Sequence, residues 1–392
     1  MRSVTNVEAP NCSRPALAQG HCSYCARPFR TVLAHADHEP ETGSVVSMTD
    51  VARTAGVSLA TVSHVVNSTR PVSRSTREKV LEAAERLGFD DERLVLARSR
   101  AATVGVIVPS ASSPYFGELI EGLSMEARRF DAALMLMTTE EDPTLEHQAV
   151  QMLLARRVDG IIMTPTRDWV DRCKPALLHS GTPCVLVDRL EDRRFDQVGC
   201  DGAPAAEAMV RHLMTHGHTR IGFIRGLRGL ATTPPREEGY RRALASRRLP
   251  VDPGYIVDGL STVKGGQLAA EELMALPRPP TAVFAANNTM TMGLLSALRH
   301  LGIRVPEDLA VAAFDDLEWS DIVRPGITSV AQPFHAMGCQ ALQLLLHRIT
   351  SPEDPARKVL MPTSLEYRES CGCRIPPNRK GLPRAAAPGV TT

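Results

Sequence analysis

The chain has 392 residues, which at roughly 150 residues per domain is enough for two or three domains with their own cores. Hydrophobic residues make up 43% and charged residues 23%, the values of a folded globular protein, which excludes a chain disordered throughout. With 45 Lys plus Arg against 44 Asp plus Glu the net charge is +1, so the molecule as a whole attracts neither nucleic acid nor an anionic membrane, and any polyanion contact must be local.

Residues 1–46 carry Pro, Ser, Cys and His without periodicity and read as a disordered extension. They contain no apolar core of export-signal type. No window anywhere approaches the roughly 18 apolar residues of a membrane span, so the expected location is the cytoplasm, with no membrane partner. Within this extension Cys22-x2-Cys25 and His35-x2-His38 are of zinc-ligand type. Nine residues separate the pairs and two separate the histidines, against about twelve and three to five in a zinc finger. No metal ligand and no cofactor are therefore assigned. The nine cysteines are scattered and form no disulfide framework.

At Ser47-x-x-Asp50 the texture changes to a capping-box start, with the hydroxyl placed to accept from the amide three residues on. Val51, Ala52 and Ala55, then Val62, Val65 and Val66, then Val80, Leu81, Ala84 and Leu87 recur at helical spacing and define a small helical unit over 47–90. Its middle has the layout of a helix-turn-helix: Ala52 and Ala55 where helices touch, Gly56 at the turn, and Ser58 capping a second helix from Leu59. A recognition helix offers its N-terminal residues to base edges, so Leu59, Ala60 and His64 are the candidate readers, with Val62 and Val65 or Val66 facing inward. Ser63, Asn67 and Ser73 are candidates for phosphate contacts, and Ser58 and Thr61 at the helix start are further DNA-binding candidates.

After Arg100, apolar runs at Val104–Val108, Leu134–Met137, Gly160–Met163, Val185–Val187, Ile221–Ile224, Ala282–Ala285 and Ala310–Phe314 alternate with amphipathic stretches such as Phe116–Phe130, Leu145–Arg156, Ala203–His216 and Thr289–Leu301. That alternation predicts a parallel α/β core over 104–370. Residues 371–392, rich in Pro, Arg and Ala, read as a second disordered tail.

The run from Met48 to Asn67, followed by Val72-Ser73 and Thr76-Arg77-Glu78-Lys79-Val80, resembles the LacI/GalR transcriptional regulators. The resemblance continues through Pro114-Tyr115-Phe116, Val158-Asp159-Gly160, Pro183 to Arg189, Gly217 to Ile221, Arg236-x-x-Gly239-Tyr240, Pro280 to Phe284, Val305 to Asp308 and Phe314-Asp315-Asp316. It implies an N-terminal all-α helix-turn-helix head and an α/β core of two parallel-sheet subdomains, periplasmic-binding-protein-like. The N-subdomain would span about 104–200 and 332–350, and the C-subdomain about 203–330 and 353–370. It also implies a hinge over 91–103 whose leucine wedges into the minor groove. The string Asp90 to Arg100 is about two residues shorter than the family's. Aligning back from Thr103-Val104-Gly105 selects Leu96, with Leu94 beside it, whereas matching Ala97-Arg98-Ser99 selects Arg100; Leu96 is preferred.

The implied ligand lies in the cleft between the subdomains. An aromatic after a strand can stack on a sugar or base, and guanidinium or carboxyl groups can fix hydroxyls; Tyr115, Phe116, Arg236 and Asp315 fit these roles. By position in the family Thr232 and Ser261 fall in cleft loops, and Asn288 stands where an aspartate commonly contacts effector. Asp188 is a further candidate. The expected function is a ligand-responsive repressor that binds a pseudo-palindromic operator in double-stranded DNA as a homodimer, with a carbohydrate or nucleoside effector. The alternative is an α/β small-molecule-binding protein or enzyme without DNA binding. The sequence carries no phosphate loop, dinucleotide fingerprint, nucleophile elbow or H-E-x-x-H, so no catalytic residue is assigned.

Overall fold

The computed structural model describes residues 46–67, 72–89, 102–316 and 318–373. The extension before Val46, the hinge with Leu94, Leu96 and Arg100, and the segment after Cys373 lie outside the described residues.

Among the described residues three helices make the head: α1 (Met48–Ala55), α2 (Leu59–Asn67) and α3 (Arg74–Leu87). The Ser47 amide and hydroxyl both donate to the Asp50 carboxylate, at 3.0 and 2.6 Å. The hydroxyl thus donates to the carboxylate, and these bonds hold the Asp50 pKa below the usual carboxylate value. Gly56 ends α1 at φ 67°, a left-handed conformation that costs a residue without Cβ little, and the following Val57 amide bonds back to the Ala52 carbonyl at 3.1 Å. The Ser58 hydroxyl accepts from the Thr61 amide at 3.1 Å and so caps α2. Val51, Val62, Val65, Val66, Val80 and Ala84 from the three helices close a common core.

The remainder alternates strand and helix. In chain order it runs β1 (Ala102–Val108), α4 (Pro114–Arg129), β2 (Ala132–Thr138), α5 (Pro143–Ala155), β3 (Gly160–Met163), α6 (Trp169–Arg172), α7 (Lys174–Ser180), β4 (Cys184–Val187) and β5 (Asp196–Cys200). It continues with α8 (Gly202–Thr215), β6 (Ile221–Arg225), α9 (Thr233–Ser246), β7 (Ile256–Asp258), α10 (Val263–Met274), β8 (Ala282–Ala285), α11 (Asn288–Leu301) and β9 (Ala310–Phe314). Last come β10 (Thr328–Ala331), α12 (Phe334–Thr350), β11 (Lys358–Met361) and β12 (Ser364–Glu366).

Two six-stranded sheets result, in the orders β11-β5-β4-β3-β1-β2 and β12-β10-β9-β8-β6-β7. The first is parallel throughout, and the second departs only at its antiparallel edge strand β12. Central strands such as Ile161-Ile162-Met163 and Val283-Phe284-Ala285 are buried along their whole length, because helices cover both faces. Along β1, Val104, Val106 and Val108 pack under α4 and α12, while Ile107 faces the other way, toward Leu153 and Trp169. Helices α4 and α12 meet backbone to backbone: a Cβ on Gly122 would lie 2.0 Å from the His335 carbonyl oxygen, and one on Gly338 2.2 Å from that of Leu119. Only glycine fits there.

Three crossings join the subdomains, from β5 to α8, from β10 to α12 and from β11 to β12. The last corrects the expected division of the chain. Residues 353–370 do not all belong to the second subdomain, since β11 pairs in parallel with β5 of the first sheet, and only β12 lies in the second. The physical reason is Asp196. Its buried carboxylate accepts from Arg348 at 2.7 and 3.1 Å and from the Arg357 amide at 2.7 Å, which seats β11 on the sheet edge. The second correction concerns the tail expected from residue 371. Glu369–Cys371 form a 3-10 turn, and Cys371 is fully buried in the second subdomain's core.

Candidate effector cleft and DNA-reading head

In the head the exposed start of α2 presents Leu59, half exposed, and Ala60, with the partly buried His64 one turn further on. Val62 and Val65 face the core. The other polar candidates have local partners: Ser58 and Thr61 share a hydroxyl hydrogen bond of 2.8 Å, and Ser73 caps α3 by accepting from the Thr76 amide at 3.2 Å. Ser63 is partly buried, and Asn67 closes α2. Leu96 lies outside the described residues.

Between the C-terminal ends of the two sheets lies a cavity of about 500 Å³, a volume suited to one small molecule. Its wall includes all eight residues singled out for the cleft: Tyr115, Phe116 and Asp188 from the first subdomain, and Thr232, Arg236, Ser261, Asn288 and Asp315 from the second.

The two subdomains meet the cavity in parallel ways. Asp188 follows β4 and Asp315 follows β9, both buried and both in the left-handed region, at φ 68° and 74°. Holding a non-glycine residue there is costly and turns each side chain out of its strand's course at the point where the sheet ends. Asp315 accepts from the Gln332 amide nitrogen at 2.7 Å and lies 3.9 Å from the Arg236 guanidinium. Burial raises the Asp315 carboxyl above its usual pKa, with Arg236 and Gln332 opposing that shift.

Arg236 reaches the cavity from the first turn of α9. Its Nη1 donates to the Ala286 carbonyl at 2.6 Å, and its guanidinium carbon lies 3.8 Å from the Phe314 ring centroid. Across the cavity Tyr115 packs edge-on to Phe116 and Phe334, at 4.3 and 3.8 Å between centroids. Burial, reinforced by the charges of Asp188 and Asp315, lifts its hydroxyl well above the ordinary phenol range, so Tyr115 is a neutral donor or acceptor. Asn288 is buried and takes a hydrogen bond from Thr289 at 2.9 Å, while its neighbour Asn287 caps α11 through the Met290 amide. The Ser261 hydroxyl accepts from the Leu227 amide at 2.9 Å and ties two cleft loops together, and Thr232 stands at the N-terminus of α9.

Sequence reasoning missed Arg189. It is buried in the cavity wall, grips the Glu141 carboxylate with both terminal nitrogens and donates to the Pro165 carbonyl at 2.7 Å. Glu140 and Glu141 belong to the same wall and were missed too, as were Ser110, Ser112 and Ser113 after β1 and Trp319 opposite them. Arg189 was findable, because it directly follows the strand-end Asp188. The glutamates lie in a loop with no apolar pattern. Among buried side-chain atoms without a hydrogen-bond partner are Asp188 Oδ1, Arg189 Nε and Arg236 Nε, all on residues of this wall. A native interior leaves few such atoms, and a bound molecule is one remedy.

Comparison with known proteins supports both halves. The pattern of bacterial regulatory proteins of the lacI family matches residues 47–91, and that of a periplasmic binding protein-like domain matches residues 210–371. Catabolite control protein A of Priestia megaterium is 35% identical over 332 residues, covering 83% of this chain and 99% of the relative. The HTH-type transcriptional repressor PurR of Vibrio cholerae is 33% identical over 330 residues, covering 83% of this chain and 98% of that protein. The solved complex of the transcriptional regulator CelR with cellobiose superposes with a TM-score of 0.64 at 30% identity, covering 83% of this chain and 99% of that one.

Proposed function

The chain belongs to the lacI family of bacterial regulatory proteins, and from that membership we propose a repressor that binds a pseudo-palindromic operator as a homodimer and is controlled by a neutral, polyhydroxylated molecule in the cleft. Leu59, Ala60 and His64 read base edges in each half-site; Ser63, Asn67 and Ser73 hold phosphates, with Ser58 and Thr61 at the DNA beside them; and Leu96 enters the minor groove at the centre.

The observation that carries the effector reading is the charge of the cavity wall. Asp188, Asp315, Glu141 and the exposed Glu140 face Arg189 and Arg236, so carboxylates outnumber guanidiniums in the cavity wall. Such a wall repels a phosphate or carboxylate and offers both acceptors and donors to hydroxyls. Aromatic edges from Tyr115 and Phe116 suit the apolar face of a sugar ring. CelR, a relative at 30% identity, was solved with a neutral disaccharide, which agrees with this class.

Because both subdomains line the cavity, a molecule that touches both changes the free energy of closure. That difference alone sets how far DNA affinity moves, about 1.4 kcal/mol for each tenfold change. Calorimetric titration of the full chain with neutral mono- and disaccharides, nucleosides and sugar phosphates tests the class. Saturable binding of a neutral polyol with no binding of its phosphate ester is expected; tighter binding of the phosphate ester would refute the reading.

A further inference from the structure

At the C-terminal end of α8, His212 and His216 stand one helical turn apart and so share a face. The turn that follows β12 folds Cys371 and Cys373 against them. His212 Nε2 lies 3.2 Å from Cys371 Sγ and 3.5 Å from Cys373 Sγ, and His216 Nε2 lies 3.3 Å from Cys373 Sγ. The four ligand atoms all fall within 4.8 Å of one another. Between the cysteines Gly372, at φ 90°, makes the reversal that brings both sulfurs to the same side.

The geometry points to a structural Zn²⁺ site of the Cys₂His₂ class, formed by His212, His216, Cys371 and Cys373. With Zn–S near 2.3 Å and Zn–N near 2.0–2.1 Å, the edges of a tetrahedron come to about 3.3–3.8 Å. The observed nitrogen–sulfur separations lie close to those edges, so small side-chain movements admit the ion. Four protein ligands leave no open position, which marks a structural site and not a catalytic one. Two thiolates balance the charge of a divalent cation, and mixed sulfur and imidazole donors select zinc over magnesium or calcium.

The surroundings also suit a metal. The Thr328 hydroxyl lies 3.1 Å from Cys371 Sγ, within reach to donate to a thiolate, as outer partners of ligating sulfurs do. The Tyr367 ring packs 4.4 Å from that of His212 and limits its rotation. Zinc binding releases a proton from each thiol to solvent as two Zn–S bonds form. The bound ion would clamp the chain after the third crossing onto α8.

The test uses the full chain carrying Cys22→Ser and Cys25→Ser, which removes the other cysteine pair close to histidines. Metal content after gel filtration under reducing conditions should be about one zinc per chain. Cobalt substitution should give the intense visible bands of a tetrahedral site with sulfur-to-cobalt charge transfer. His216→Ala, at an exposed position, and Cys373→Ser, a near-isosteric change at a partly buried one, should each abolish these bands, and zinc should raise the thermal midpoint of the parent but not of either variant. Absence of zinc and cobalt binding with both thiols free, metal content unchanged by the two variants, or a Cys371–Cys373 disulfide in the reduced preparation would each overturn the site.

Discussion

The guanidinium carbon of Arg236 lies 3.8 Å from the centre of the Phe314 ring, and Asp315, the residue after Phe314, places its carboxylate 3.9 Å from the same guanidinium. One strand end therefore holds the arginine by both stacking and charge. An arginine fixed in this way loses little further freedom when it meets a ligand. Arg236→Ala should weaken effector binding by about tenfold to a hundredfold, as for one or two charge-assisted hydrogen bonds, and leave operator binding without effector unchanged. Calorimetry for effector and fluorescence anisotropy for DNA check the two halves, and undiminished effector affinity would remove Arg236 from the site.

His64 stands one turn after the exposed start of α2. If it reads a base edge, His64→Ala should cost about 1–3 kcal/mol on the specific operator while affinity for random DNA stays nearly the same. Equal losses on both DNAs would assign His64 to packing of the helix.

Asp196 is the buried carboxylate that joins Arg348 of α12 to the start of β11. Replacing it by alanine leaves the largely buried Arg348 guanidinium with carbonyl partners but no carboxylate, and frees an edge strand. Asp196→Ala should destabilise the core by about 3–5 kcal/mol in urea unfolding. A loss within experimental error would show that β11 stays seated without it.

Asp258 at the end of β7 accepts from Arg225 at 2.7 Å and from Arg228 at 3.0 Å, and its pKa lies below the usual carboxylate value chiefly through the Arg225 bond. A carboxylate with a depressed folded pKa stabilises the fold above its unfolded pKa and ceases to do so as pH falls through the folded one. Asp258→Asn should therefore lower stability at pH 7, by roughly 1 kcal/mol given the exposure of the pair. The difference from the parent should shrink as the pH is brought below the ordinary carboxylate range. A gap that widens on acidification would contradict the assigned direction.

Much of this molecule was legible in its sequence because local signals and tertiary packing agree. Runs such as Gly160–Met163 and Ala310–Phe314 are apolar because both sheet faces are covered, and they are strands. The segments that escaped notice are those whose structure depends on distant partners. Asp196–Cys200 reads as polar until Arg348 arrives to pair with Asp196, and Lys358–Met361 becomes a strand only because β5 offers an edge. In the cleft, residues at strand ends were visible as breaks in an apolar pattern. Glu140 and Glu141 were not, since a loop in left-handed conformation, at φ 50° and 61°, leaves no periodic trace. The His212–Cys373 cluster joins positions more than 150 apart in the chain, a separation that no local spacing rule reaches.

Linkage between the cleft and the head is what makes the protein a ligand-controlled regulator. Its most direct measurement is fluorescence anisotropy of the full chain on a pseudo-palindromic site selected from random DNA and on scrambled DNA, at one fixed salt concentration, with and without the neutral polyol found by calorimetry. Specific binding that the polyol shifts by tenfold or more is expected, together with a reciprocal shift of polyol affinity when operator is present. Operator affinity that stays constant while the cleft goes from empty to saturated would contradict it.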